Sequence, residues 1–218
     1  MENKLLLKRV KEFFVKNKFT IILFVVLFFS TSVYGATFKG KVINADTKEP
    51  IEGAVVVASW LEERADIAGS TSELKDVKET FTDKNGEWMI KGPRGRDMGN
   101  ITAIFTFITR TYITNPPQFI VFKPGYCSWP NGLWIDVCKE KVRPDGHDKV
   151  ADGITVELPK LTERVDRLKA QEIWPSLMDG DKEMHKKIIN FIRLLNKERR
   201  YLGIPEDPIL KELENERQ

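Results

Sequence analysis

Hydrophobic and polar positions alternate along the middle of the chain and change to a helical period towards its end. Residues 37–43 place Phe38, Gly40 and Val42 on one face and Lys39 and Lys41 on the other, the period of a half-buried strand. Residues 53–60 (GAVVVASW) are almost continuously apolar, as expected of a strand covered on both faces. Residues 78–82 and 87–91 flank Asp83-Lys84-Asn85-Gly86 and read as the two strands of one hairpin. Residues 101–114, rich in Ile, Phe and Thr, read as a long strand or a bent pair, and residues 118–123 and 154–158 as further strands. Two stretches lack strand character: residues 61–77 are polar without a clean period and read as a long excursion, and residues 92–100 (GPRGRDMGN) as a loop. Short strands at this spacing predict a mainly β protein, an antiparallel β-sandwich over residues 36–158.

Beyond Pro159 the period becomes helical, predicting a C-terminal α-helical extension over residues 159–218. Thr162 and Glu163 can start a first helix carrying Val165, Leu168 and Ile173 and ending at Trp174-Pro175. Asp181 is the expected N-cap of a longer helix reaching Leu202, with Met184, Ile188, Phe191, Ile192 and Leu195 on one stripe and Gly203-Ile204-Pro205 as the stop. Asp207 then caps a third helix with Pro208 in its first turn. The interspersed Lys and Arg residues make docking onto the sandwich the plainest use of these stripes.

The N-terminus changes the picture of where the chain works. Lys4, Lys8, Arg9, Lys11, Lys16 and Lys18 precede an uncharged run over residues 19–38, the layout of an export signal. Val33 and Gly35 stand where a signal peptidase reads, so residues 1–35 are expected to be a cleaved signal peptide. The alternative is an uncleaved N-terminal membrane anchor, which would be the chain's one membrane contact. Both place the remainder outside the cytoplasm, periplasmic or extracellular. Without residues 1–35 the chain carries 29 basic and 30 acidic side chains, so its charge balance gives no reason to expect nucleic acid as a partner.

Two cysteines in an exported chain, Cys127 and Cys138, predict one disulfide, whose closure would contribute ~3 kcal/mol on the chain-entropy view. The Asn131-Gly132 turn between them predicts a hairpin. Trp129, Leu133 and Trp134 on that hairpin could anchor a binding surface or tuck beneath it as a small core; on the first reading they are the candidate binding residues.

Other candidate chemistry is thin. If Gly86 is set at position 6 of a calcium loop, Asp83 and Asn85 take positions 3 and 5, but Phe81 and Gly92 fall where ligands are needed. Asp83, Asn85 and Gly86 are therefore expected to form a turn. His147 and His185 read as solvated side chains without a third ligand. Lys91, Arg94 and Arg96 read as a solvated basic loop. No nucleophile elbow, phosphate loop, zinc or dinucleotide motif occurs, and no catalytic residue, metal or cofactor is expected.

One resemblance organises these observations. Gly40-Lys41-Val42, then Pro50-Ile51-Glu52-Gly53-Ala54-Val55-Val56, then ETFTDKNGEW over residues 79–88, then Lys123-Pro124-Gly125-Tyr126 resemble, in order and spacing, the carboxypeptidase regulatory-like domain. The resemblance covers residues 37–158, with the stretches 61–77 and 127–152 as additions, and implies a transthyretin-like, Ig-like sandwich of about seven strands. That family is mostly non-catalytic. Neither histidine here has the Glu three residues on that the carboxypeptidase zinc motif requires, and the chain ends Asn-Glu-Arg-Gln, unlike the Tyr-Arg-Gly-Ser end of hydroxyisourate hydrolases. Intradiol dioxygenases, of related architecture, hold iron with two tyrosines and two closely spaced histidines, a pattern absent here. The functional expectation is an exported, non-catalytic binding or scaffolding module whose partner is another protein of the cell envelope, or a glycan. The alternatives are an enzyme with an unrecognised carboxylate site and a membrane-tethered subunit.

Overall fold

The computed structural model describes residues 35–66, 69–96, 106–130, 138, 153–173, 175 and 182–215. Gly35–Gln218 form one compact unit, separate from Met1–Tyr34. The protein is mainly β, with strands β1 (Gly35–Asn44), β2 (Val55–Asp66), β3 (Gly69–Phe81), β4 (Glu87–Pro93), β5 (Ile113–Thr114), β6 (Gln118–Phe122) and β7 (Ile154–Leu158). Four helices follow: α1 (Arg164–Lys169), α2 (Lys182–Lys187), α3 (Ile189–Leu202) and α4 (Pro208–Asn215).

The strands form two sheets, one ordered β4-β1-β7 and the other β3-β2-β5 with β6 also paired to β2. One face of each sheet meets in a core of Val42, Trp88, Ile90, Val156 and Leu158 against Val56, Ala58, Trp60, Phe119 and Val121. The opposite face of the second sheet, carrying Val55, Val57, Val77, Ile120 and Phe122, is covered by Ile188, Phe191, Ile192, Leu195 and Leu213 of the helical region. Because β2 lies between these two apolar layers, consecutive residues Val55, Val56, Val57 and Ala58 are all buried. That is the physical basis of the uninterrupted apolar run in its sequence. The helices are thus a third layer of the same unit.

Several expectations are corrected. Residues 78–82 and 87–91 are not one hairpin: β3 pairs with β2, whereas β4 pairs with β1 in the other sheet. A local turn signal cannot say which sheet each flank joins. The sandwich is not wholly antiparallel either, because β1 pairs with β7 in parallel from Gly40 opposite Ile154 to Asn44 opposite Leu158. In the polar stretch 61–77, residues 61–66 and 69–77 are no excursion but paired β2 and β3, with Leu61 opposite Leu74 and Asp66 opposite Gly69. Residues 106–109 form a single helical turn and only Ile113–Thr114 a strand; the rest of the expected strand, residues 101–105, lies outside the described residues.

The helical region is also more broken than its stripe suggests. The expected long helix is interrupted at Ile188, whose backbone leaves the helical region at φ −123° and ψ 31°, separating α2 from α3. α1 ends at Lys169, short of the predicted stop at Trp174-Pro175, and its N-cap Glu163 makes no side-chain capping bond. Gly203 closes α3 in the left-handed conformation at φ 67°, with Ile204 N donating to Arg199 O, a glycine C-cap. Asp207 Oδ1 accepts from Ile209 N at 3.1 Å, so this residue does cap α4. Asp181 lies outside the described residues.

At one pole of the sandwich β1 begins and β4 ends, with Gly35 opposite Pro93. β2 passes this pole at Trp60, whose indole donates to Pro93 O at 2.7 Å and whose ring lies against Gly92. A register shift falls at Trp60/Leu61, and bulges of this kind bend a strand where it leaves its sheet. From there β2 and β3 continue past the pole as an arm, braced on one side by β5 opposite Glu62 and Glu63.

Candidate recognition surface

The loop that resembles a calcium site is a corner between the sheets. Asp83 Oδ1 accepts from the backbone N–H of Asn85 at 2.8 Å and of Glu87 at 2.9 Å. Gly86 adopts φ 74°, and a Cβ there would lie 2.3 Å from Val42 O. Thr82 ties this corner to the second motif: its hydroxyl accepts from Ala54 N at 2.9 Å and donates to Ile51 O at 2.6 Å, fully inside the protein. Two segments that stand 28 or more positions apart in sequence are thereby joined by one side chain. Sequence inspection singled out Asp83, Asn85 and Gly86 but not Thr82, whose place in the Thr-Asp pair was the available signal.

Cys127 and Cys138 form the disulfide, and both are fully buried. The tryptophan surface is corrected in its one described member. Trp129 is 5% exposed and exchanges two backbone hydrogen bonds with Val121, so it belongs to the sandwich core. Leu133 and Trp134 lie outside the described residues, as do Asn131 and Gly132. His185 is buried within the helical layer and not solvated; His147 lies outside the described residues. Among the described residues no three His, Cys, Asp or Glu side chains converge as a metal site would require. Among them, too, no helix is long and apolar enough to cross a membrane.

The buried charges are engaged in holding elements together. Glu198, 3% exposed at its side chain, receives both Arg167 Nε at 2.7 Å and Arg167 Nη2 at 2.8 Å, tying α3 to α1. This bidentate bond raises the Arg167 pKa further, and the same guanidinium lies 4.1 Å from the Tyr201 ring centre. Glu79 of β3 accepts from the N–H groups of Asn190 and Phe191 at 2.9 and 2.8 Å, capping α3 from across the sheet. Burial pushes the Glu79 pKa up and outweighs the opposing effect of those two backbone donors. Lys123 is lowered by burial and by Lys197, while its ammonium donates to Glu52 O at 2.6 Å.

Among the described residues, exposed side chains gather on the arm and the pole beside it. Tyr112 donates to Glu73 Oε1 at 3.0 Å, a bond that raises its pKa, and its ring carries the Arg64 guanidinium at 4.8 Å. Lys75 bridges Glu62 and Thr114. Ala65 N donates to Thr106 Oγ1 at 2.9 Å, fastening the helical turn 106–109 near the end of the arm. That turn presents Phe107 and Ile108, 51% and 74% exposed. Arg96 N donates to Thr114 O, which brings the basic loop Arg94–Arg96 alongside, with Lys91, Arg94 and Arg96 all exposed. The arrangement is a polar ladder bearing an apolar tip and a basic rim.

The chain matches no family model and no curated protein sequence. Among solved structures it is similar to a 3-chlorocatechol 1,2-dioxygenase from Rhodococcus opacus 1CP, at 19% identity over 60% of this chain and 62% of that one, with a TM-score of 0.32. It is similar at the same score to the catechol 1,2-dioxygenase of Acinetobacter radioresistens, with 20% identity over 62% of this chain and 54% of the other. A 9R-lipoxygenase from Cyanothece PCC8801 matches at 12% identity and a TM-score of 0.26, over 80% of this chain and 25% of that one. The match thus spans less than two thirds of each dioxygenase chain. At these scores the likeness extends to neither activity nor substrate.

Proposed function

We propose that the protein is an exported, non-catalytic binding or scaffolding module of the cell envelope, built on a carboxypeptidase regulatory-like domain. The observation that carries this reading is the buried Cys127–Cys138 disulfide behind a basic, then apolar, N-terminal sequence. Such bonds persist in oxidising compartments and are rare in the cytosol. The handling of carboxylates supports the non-catalytic part. Among the described residues the one buried acid is Glu198, and it is neutralised by Arg167; Glu79, part-buried, is occupied in capping α3. Neither is held as a free acid or base.

The partner is another protein of the envelope, with a glycan as the second possibility. Chemical crosslinking in cells followed by capture of the protein from the envelope fraction tests this. A protein recovered reproducibly, and lost when the arm is altered by Tyr112→Ala with Glu73→Ala, is the expected result. Free Cys127 and Cys138 thiols in protein taken from the envelope, or capture with no partner, would overturn it.

A further inference from the structure

We propose that the pole carrying the β2–β3 arm is a bilayer-facing surface, with Phe107 and Ile108 entering the interface and Arg94, Arg96 and Arg110 meeting anionic lipid headgroups. Among the described residues the large apolar side chains left exposed are few, and these two are the adjacent pair. They sit on a fixed support, since Thr106 is buried, accepts from Ala65 N, and receives Arg110 N at 2.8 Å to close the turn. Arg110 is held at φ 54°, in the left-handed region that non-glycine residues rarely occupy. Arg94, Arg96 and Arg110 are exposed, and none has an ion-pair partner among the described residues. Of the acids of the arm, Glu62 is engaged by Lys75 and Glu73 by Tyr112.

The occupant is indicated by where the chain enters. β1 begins at this pole with Gly35, immediately after the uncharged sequence that follows the basic N-terminal residues. If residues 1–34 are retained as an anchor, they join the domain at this pole. The arm projects past the pole by the six residues that follow Trp60, about 20 Å at ~3.3 Å per strand residue. An apolar pair flanked by arginines is the composition that binds anionic interfaces, and each basic residue near such a surface adds to the attraction.

The test labels the full chain, whose own cysteines are paired, at Ile108→Cys or at Met89→Cys with an environment-sensitive nitrobenzoxadiazole group. Met89 is an exposed residue on the outer face of β4 and serves as the reference position. With vesicles of phosphatidylcholine containing about a third phosphatidylglycerol, the label at 108 is expected to shift to the blue, to brighten severalfold, and to be quenched by doxyl lipid. The label at 89 is expected to show none of these changes. Replacing Arg94, Arg96 and Arg110 with Gln should weaken the response at 108 by about fivefold per arginine, with the native ellipticity unchanged. No response at 108, an equal response at 89, or full response from the triple Gln variant would each overturn the proposal. A response equal on pure phosphatidylcholine would remove its electrostatic half. None of these readouts depends on capture of a protein partner, so failure here leaves the reading above intact.

Discussion

Thr82 is the residue on which the corner between the sheets depends, and its replacement gives a quantitative test of the fold. Thr82→Val keeps the shape and deletes the hydroxyl that accepts from Ala54 N at 2.9 Å and donates to Ile51 O at 2.6 Å. Ala54 and Ile51 are buried, at 0% and 5% exposure, so water cannot replace either bond. Two buried backbone groups left without partners cost ~1–3 kcal/mol each; allowing for the extra apolar methyl, the net loss is about 3 kcal/mol. Against a typical total of ~5–15 kcal/mol this is a large fraction. Thr82→Ser retains both bonds and loses one methyl group, costing about 1 kcal/mol. Equilibrium urea unfolding of the disulfide-intact protein should order the stabilities wild type, Ser, Val, with the midpoint shifting and the slope constant. A Val variant as stable as the Ser variant would refute the assignment of Thr82 as the clamp.

Three further outcomes follow from the geometry. Glu198→Ala leaves the Arg167 guanidinium, 15% exposed, without its bidentate partner and should cost about 3 kcal/mol, whereas Arg167→Met with Glu198→Leu should fall within ~1 kcal/mol of wild type; chemical denaturation of the two variants beside wild type checks both. Gly86→Ala forces a Cβ to 2.3 Å from Val42 O at φ 74° and should lower Tm by about 5–10 °C, read by calorimetry. Glu79 has a folded pKa raised by burial above its ordinary 4.5, so the folded state keeps this proton to higher pH than the unfolded chain does. Its contribution to stability is fully present below that ordinary pKa and declines as pH rises through the folded value. Stability measured from acid to neutral pH should therefore fall for wild type relative to Glu79→Gln. A rise would mean that the Asn190 and Phe191 donors outweigh burial.

Much of the sandwich was legible because alternation reports which face of a strand is covered. β7 coincides with the stretch read from sequence, β6 nearly so, and β2 announces its double burial through Val55, Val56 and Val57. The arm was not legible, because past Trp60 both faces of the hairpin are partly solvated and its residues need no alternation. Residues 106–109 were misread since Phe, Ile and Thr suit strands in general, while here the Thr106 hydroxyl accepts from Ala65 and favours a turn. The break at Ile188 was hidden for another reason. Met184, Ile188 and Phe191 keep helical spacing through the interruption, and the cap on α3 comes from Glu79, a residue more than a hundred positions away. For Trp129 a surface anchor and a small core were equally open in the sequence, and its two bonds to Val121 decide for the core.

The parallel pairing of β1 with β7 sets the order in which the protein can complete itself. β1 is the middle strand of its sheet, and the pairing brings together Lys48 and Glu157, 109 positions apart. A chain emerging N-terminus first exposes one edge of β1 until almost the whole sandwich sequence has followed. Closing so long a loop is slow, and an open strand edge in the interval invites pairing with other chains. Folding of this protein is thus expected to finish only once residues 154–158 are available, with the last strand of the sandwich sealing the first.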